Sequence, residues 1–171
     1  MQDLRERYRP SRLSLLFVGE SPPIGGTFFY AGNSNLFNYT QQAFAQAIGT
    51  TVGHGRAFLD YFRRVGCYLE DLCVEPVNQL RGAPRRAMHR DGILPLSKRL
   101  STWQDAPHAV LVVGKSVGGS VAVAADAAGW GHVPVFVLPF PAMSHQERYM
   151  SELSGILVQA VRASWISGKA T

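Results

Sequence analysis

The chain has 171 residues, 46% of them hydrophobic, which suffices for one domain with a substantial core and is short for two, so 1–171 reads as a single domain. Seventeen basic against twelve acidic residues leave a net charge of +5, a balance that suits a polyanionic partner such as nucleic acid because each phosphate contact releases a counterion. Two cysteines, Cys67 and Cys73, exclude a four-thiolate metal site and argue against a disulfide framework. The charged opening segment 1–10 has no apolar run of the signal-peptide kind, and no stretch is long enough to cross a bilayer, so a cytoplasmic protein without membrane contact is expected.

Four runs, 13–18, 66–73, 108–113 and 133–138, are apolar almost throughout rather than alternating, as strands buried on both faces of a parallel sheet must be. Helical spacing falls between and after them, at 35–48, 57–65, 94–102, 117–128 and 145–166. This alternation predicts an α/β fold, a three-layer α/β/α sandwich around a four-stranded parallel sheet. Ligands bind such sheets beyond the carboxyl ends of the strands, which directs attention to the segments 19–34, 74–90, 114–116 and 139–145, all read as loops.

The first of these segments opens Gly19-Glu20-Ser21-Pro22-Pro23 and continues through Gly26-Thr27-Phe28-Phe29 to Asn33-Ser34-Asn35. A carboxylate at a strand end, a rigid proline turn, paired aromatics and a helix start lie close together. Taken alone, these are also the parts of an ordinary strand-to-helix connection with core aromatics. The pattern resembles the uracil-DNA glycosylase superfamily, in which a Gly-x-x-Pro turn after the first strand precedes a phenylalanine that stacks on an extracted base. It is most similar to the branch whose turn reads Gly-Glu-Ala-Pro-Gly, with Glu20 and Ser21 at the second and third places. The resemblance puts Phe29 on the stacking position, with Phe28 as second choice, and Gly19, Ser21 and Pro22 against the base. Relatives with glutamate in the turn generally carry an iron–sulfur cluster on four cysteines, which this chain cannot hold, and hydrolysis itself needs no cofactor.

The chemistry explains the residue types. Cleaving a base from deoxyribose develops positive charge on the sugar and negative charge on the base, so a carboxylate under the sugar both stabilises the cation and orients water. Glu20 is the candidate. An aromatic face compensates for the unstacking of an extruded base. The second strand ends at Asp71, where the superfamily usually has an asparagine reading the base edge. An ionised aspartate only accepts hydrogen bonds, which does not suit uracil O4. Either Asp71 is kept neutral and donates, or the base carries an amino group there, or Asp71 merely caps a loop.

Further along, Arg81-Gly82-Ala83-Pro84-Arg85-Arg86-Ala87-Met88-His89-Arg90 is the best basic patch. It is read as a flexible proline-containing loop over the pocket, with Arg85 and Arg86 as DNA contacts, or as a merely solvated loop. Gly114-Lys115-Ser116-Val117-Gly118 matches the Gly-x-Ser-x-Gly nucleophile elbow. The only acid between Ser116 and His145 is Asp126, about 15 Å along the following helix. A serine hydrolase with Ser116 as nucleophile is therefore the lesser reading, and Lys115 and Ser116 serve better as phosphate contacts.

The fourth strand exits as Pro139-Phe140-Pro141-Ala142-Met143-Ser144-His145. The resemblance implies a histidine or asparagine where Phe140 stands, and loss of such a donor costs on the order of 10²-fold in comparable sites. His145 is the candidate replacement, or a helix N-terminal residue with no such duty. Met143 occupies the place of an apolar wedge that fills the gap of a flipped base, unless it packs in the core; Ser144 joins the phosphate contacts. The expectation is a monomeric DNA glycosylase-like hydrolase for a uracil-like or modified base, acting on single- or double-stranded DNA. The alternative is a glycosylase-like domain that binds nucleic acid, a free nucleobase or a nucleotide without cleaving.

Overall fold

The computed structural model describes residues 2–168. Its centre is a four-stranded, all-parallel sheet of β1 (Leu15–Gly19), β2 (Cys67–Asp71), β3 (Ala109–Val113) and β4 (Val135–Leu138), in the order β2-β1-β3-β4. Each strand begins one or two residues later than the apolar run that predicts it. The three strands β1, β2 and β3 are buried at every position, as a sheet covered on both faces requires.

Around the sheet lie α1 (Gln2–Arg7), α2 (Asn35–Ile48), α3 (Arg56–Arg64), α4 (Gly82–Asp91), α5 (Ile93–Leu100), α6 (Gly118–Ala127) and α7 (Gln146–Arg162). Right-handed crossovers assign them to layers. The chain moves outward from β1 to β2 through α2 and α3, then returns past β1 to β3 and on to β4 through α4, α5 and α6. A reversal of direction at constant handedness puts the two sets on opposite faces. Consistent with that, α2 packs on α7 and α5 packs on α6, giving the three-layer α/β/α sandwich. Beneath α2 and α3, Phe17, Phe44, Phe58 and Phe62 form a tilted and edge-to-face aromatic cluster. No helix among the described residues is long and apolar enough to cross a membrane.

Two details of the fold bear on the site. The loops after β1 and β3 leave toward opposite faces, so a crevice opens between these neighbouring strands at the carboxyl edge. The outer side of edge strand β2 is also closed: Leu69 N–H donates to the Tyr30 hydroxyl at 2.7 Å, and that hydroxyl donates back to Leu69 C=O at 3.0 Å. An edge strand's free backbone groups are thus satisfied by the residue following Phe28 and Phe29, which anchors the first loop to the sheet.

The segment 82–91 is a helix, not the flexible loop expected from its sequence. Pro84 sits in its first turn, where a missing N–H breaks no intrahelical bond. With His89 as its single fully buried residue, α4 has almost no apolar stripe to betray it. The short helix α1 also escapes the apolar pattern, because its sequence QDLRER is nearly all polar. Ahead of α6, the predicted helix at 117–128 starts as a 3-10 turn over Lys115–Val117.

Candidate active site

Past the end of β1 the parallel pairing continues, with Gly19 C=O accepting from Leu72 N–H and Glu20 C=O from Cys73 N–H, both at 2.9 Å. This fixes the backbone that carries the Glu20 side chain. Ser21 Oγ accepts from Val77 N–H at 3.2 Å, tying the first loop to the second. Farther along, Asn33 Oδ1 accepts from Phe28 N–H at 2.7 Å, and Ser34 caps α2 through Phe37 N–H at 3.1 Å. The proline turn, the aromatic pair and the helix start are therefore held by specific bonds rather than by the chain path alone.

Glu20 faces α4. Arg85 donates from Nε to Oε1 at 2.6 Å and from Nη2 to Oε2, while His89 Nε2 lies 2.6 Å from Oε1. An ionised carboxylate only accepts, so Nε2 carries the hydrogen in this contact. Arg85 and His89 stand four residues apart on one helix face, the spacing at which side chains converge. Burial alone would raise the Glu20 carboxyl, but the bonds from Arg85 and His89 outweigh it and hold the group below the usual carboxylate range. The sequence foretells neither partner in this role: it offers Arg85 as a DNA contact and does not single out His89.

Asp71 closes β2, opposite Gly19 in the register. Its Oδ2 accepts from Arg5 Nη2 at 2.5 Å, and Arg5 Nη1 reaches Glu70 Oε1 at 2.5 Å. Arg99 completes the set, donating to Asp71 C=O at 2.5 Å and lying 3.4 Å from Glu70 Oε2. Burial pushes the Asp71 carboxyl up, and Arg5 works against that shift. Helix α1 thus places a forked cation beside two buried carboxylates at the end of edge strand β2. A side chain at Gly19 would displace the Asp71 carboxylate, because its Cβ would stand 2.6 Å from Asp71 Oδ1.

These groups border a run of adjoining cavities. One, of about 270 Å³, is lined by Phe28, Phe29 and Asp71 among others. The next, of about 420 Å³, is lined by Gly19, Glu20, Arg85 and Ser116, and shares Ser21, Pro23, Leu36, Asp71 and Phe140 with the first. Glu20 and Phe29 therefore open on neighbouring parts of one cleft. Pro22 borders the larger cavity. Phe28 and Phe29 are also wedged edge-to-face against Tyr30, and Phe29 against Phe37 as well, so both rings are fixed walls.

A third cavity of about 280 Å³ holds Lys115, Ser116, Met143, His145 and Arg148, and meets the second at Gly114, Ser116 and Phe140. The structure does not bring His145 to the cavity that Glu20 lines: it precedes α7 and is exposed. Ser116 and His145 border the same hollow, yet no hydrogen bond joins them among the described residues, and Asp126 lies within α6. Met143 is 91% exposed, and it and Ser144 both adopt positive φ, 52° and 70°. Packing in the core is thereby excluded for Met143, which projects from a strained turn beside Lys115 and Ser116. Arg86 is exposed on α4. Compared with models of protein families and with curated proteins, the chain matches none.

Proposed function

We propose that the chain is a DNA glycosylase-like hydrolase that cleaves the N-glycosidic bond of a uracil-like or modified base. The single observation that carries this reading is the shared cleft: an ionised carboxylate, Glu20, and the fixed aromatic walls Phe28 and Phe29 flank the same five residues at the switch point of a parallel sheet. In the reaction the C1′–N bond breaks with its electron pair going to the base. Water supplies the oxygen that bonds C1′; one of its protons stays on that oxygen as the C1′ hydroxyl and the other passes to the base nitrogen. Glu20, kept ionised by Arg85 and His89, opposes the positive charge that grows on the sugar. Met143 and the polar groups Lys115, Ser116 and Ser144 form the edge that meets the DNA backbone.

A second reading, a glycosylase-like domain that binds nucleic acid or a nucleotide without cleaving, draws on one specific feature: both Glu20 oxygens already accept from Arg85. A carboxylate so engaged is a weak acceptor for a water proton. Incubation with single- and double-stranded DNA bearing uracil, hypoxanthine, xanthine or hydroxymethyluracil separates the two. Formation of abasic sites that disappears in Glu20→Gln supports the hydrolase. Salt-sensitive binding with intact DNA supports the binder.

A further inference from the structure

Asp71 presents two unlike oxygens. Oδ2 is taken by Arg5 at 2.5 Å, whereas Oδ1 has no hydrogen-bond partner among the described residues. The side chain is 8% exposed, and Oδ1 is not among the buried polar atoms left without a partner, so this is the oxygen that opens to the cavity. An open carboxylate oxygen within a cleft is an acceptor that the donor of a bound ligand can meet. Oδ1 lies on the Gly19 side, in space that a Cβ on Gly19 would fill, and both residues border the cavity that Glu20 lines. Asp71 also borders the neighbouring aromatic-walled cavity. The free oxygen therefore stands where a base held against Phe28 and Phe29 would turn its pairing edge.

Charge decides whether Oδ1 accepts or donates. Two guanidiniums, Arg5 and Arg99, which cannot be deprotonated in proteins, face two carboxylates, Glu70 and Asp71. Protonating Asp71 would leave a buried excess of positive charge, so this array is neutral only with the acid ionised. From this we infer that the pocket selects a base with an exocyclic amino group on its pairing edge, the amino hydrogen donating to Asp71 Oδ1. The inference rests on the reading of the cleft as a base site and names its substrate class. An oxo group at the same place would set two acceptors against each other.

The test compares ligands that differ at this group. Binding of 2′-deoxycytidine against 2′-deoxyuridine, and of 2′-deoxyadenosine against 2′-deoxyinosine, is measured by calorimetry on the wild-type protein. At least one amino-bearing member is expected to bind about ten-fold or more tightly than its oxo counterpart. In Asp71→Asn, whose amide can donate, that preference shrinks or reverses. Equal affinities within both pairs, tighter binding of the oxo members, or no binding of any of the four would overturn the inference. Tighter oxo binding would in addition identify Asp71 as a neutral donor. Because the wild-type ranking needs no variant to fold, misfolding of Asp71→Asn leaves the test intact. An amino preference in binding, with no base released either from the oxo-base DNAs or from DNA carrying a modified base with an exocyclic amino group, would sink the hydrolase and leave this inference standing.

Discussion

Arg85 grips Glu20 through two guanidinium nitrogens, one on each carboxylate oxygen, while His89, one helical turn further on, donates to the same side chain. The acid that the opening turn offers is thus held from across the cleft by α4. Removal of the clamp has a definite cost. Arg85→Ala is expected to destabilise the fold by about 1–3 kcal/mol, toward the low end because the Arg85 side chain is 30% exposed. Chemical denaturation of wild type and variant under identical salt checks the figure.

The same contact makes stability depend on pH with a fixed sign. Burial works to raise the Glu20 carboxyl, but Arg85 and His89 hold it below its ordinary value, so between the folded and unfolded pKa values the unfolded chain binds more protons. The stabilisation is therefore complete above the usual carboxylate range, about 4.3, and is lost as pH falls through the folded value. Melting curves of wild type and Glu20→Gln should lie apart at neutral pH and converge in acid. Parallel curves down to the acid limit would contradict this assignment.

Tyr30 and Leu69 give a third prediction. Tyr30→Phe keeps the ring in the cluster but leaves both Leu69 backbone groups without their partner on the edge of the sheet. A loss of about 1–3 kcal/mol follows. Faster amide exchange at Leu69, measured by hydrogen–deuterium exchange, locates the loss at β2 rather than throughout the fold.

Arg5 is the least exposed of the three arginines at the site, with its side chain 16% exposed between Glu70 and Asp71. Arg5→Ala leaves two buried carboxylates short of a partner and is expected to cost about 3–5 kcal/mol. Arg5→Lys should recover only part of this, because a single ammonium cannot fork between two acids as a guanidinium does. Equal stability of the Ala and Lys variants would show that the fork has no energetic role.

The architecture was legible because the strands are unbroken apolar runs and helices such as α2 have a capping serine followed by a regular apolar stripe. Glu20 and Asp71 are legible as cleft residues because a strand end fixes which edge of the sheet they occupy, whereas Phe29 is singled out only by the resemblance. The partners of the two acids are not. Arg5 comes from a short polar helix and Arg85 from one that opens on glycine and proline, and periodicity carries no signal for either. The i, i+4 spacing of Arg85 and His89 would have paired them once 82–91 was known to be helical. His145 stands at the start of α7 beside Met143 rather than with Glu20, since the turn after Pro141 carries it into the neighbouring hollow.

The role proposed for Glu20, beneath a sugar cation, is most directly tested by binding DNA that carries a cationic pyrrolidine abasic mimic, with the neutral tetrahydrofuran analogue as reference. A carboxylate aimed at that charge predicts a preference of about ten-fold or more for the cationic ring, abolished in Glu20→Gln. Equal affinity for the two rings in the wild-type protein would mean that Glu20 does not face the reacting sugar.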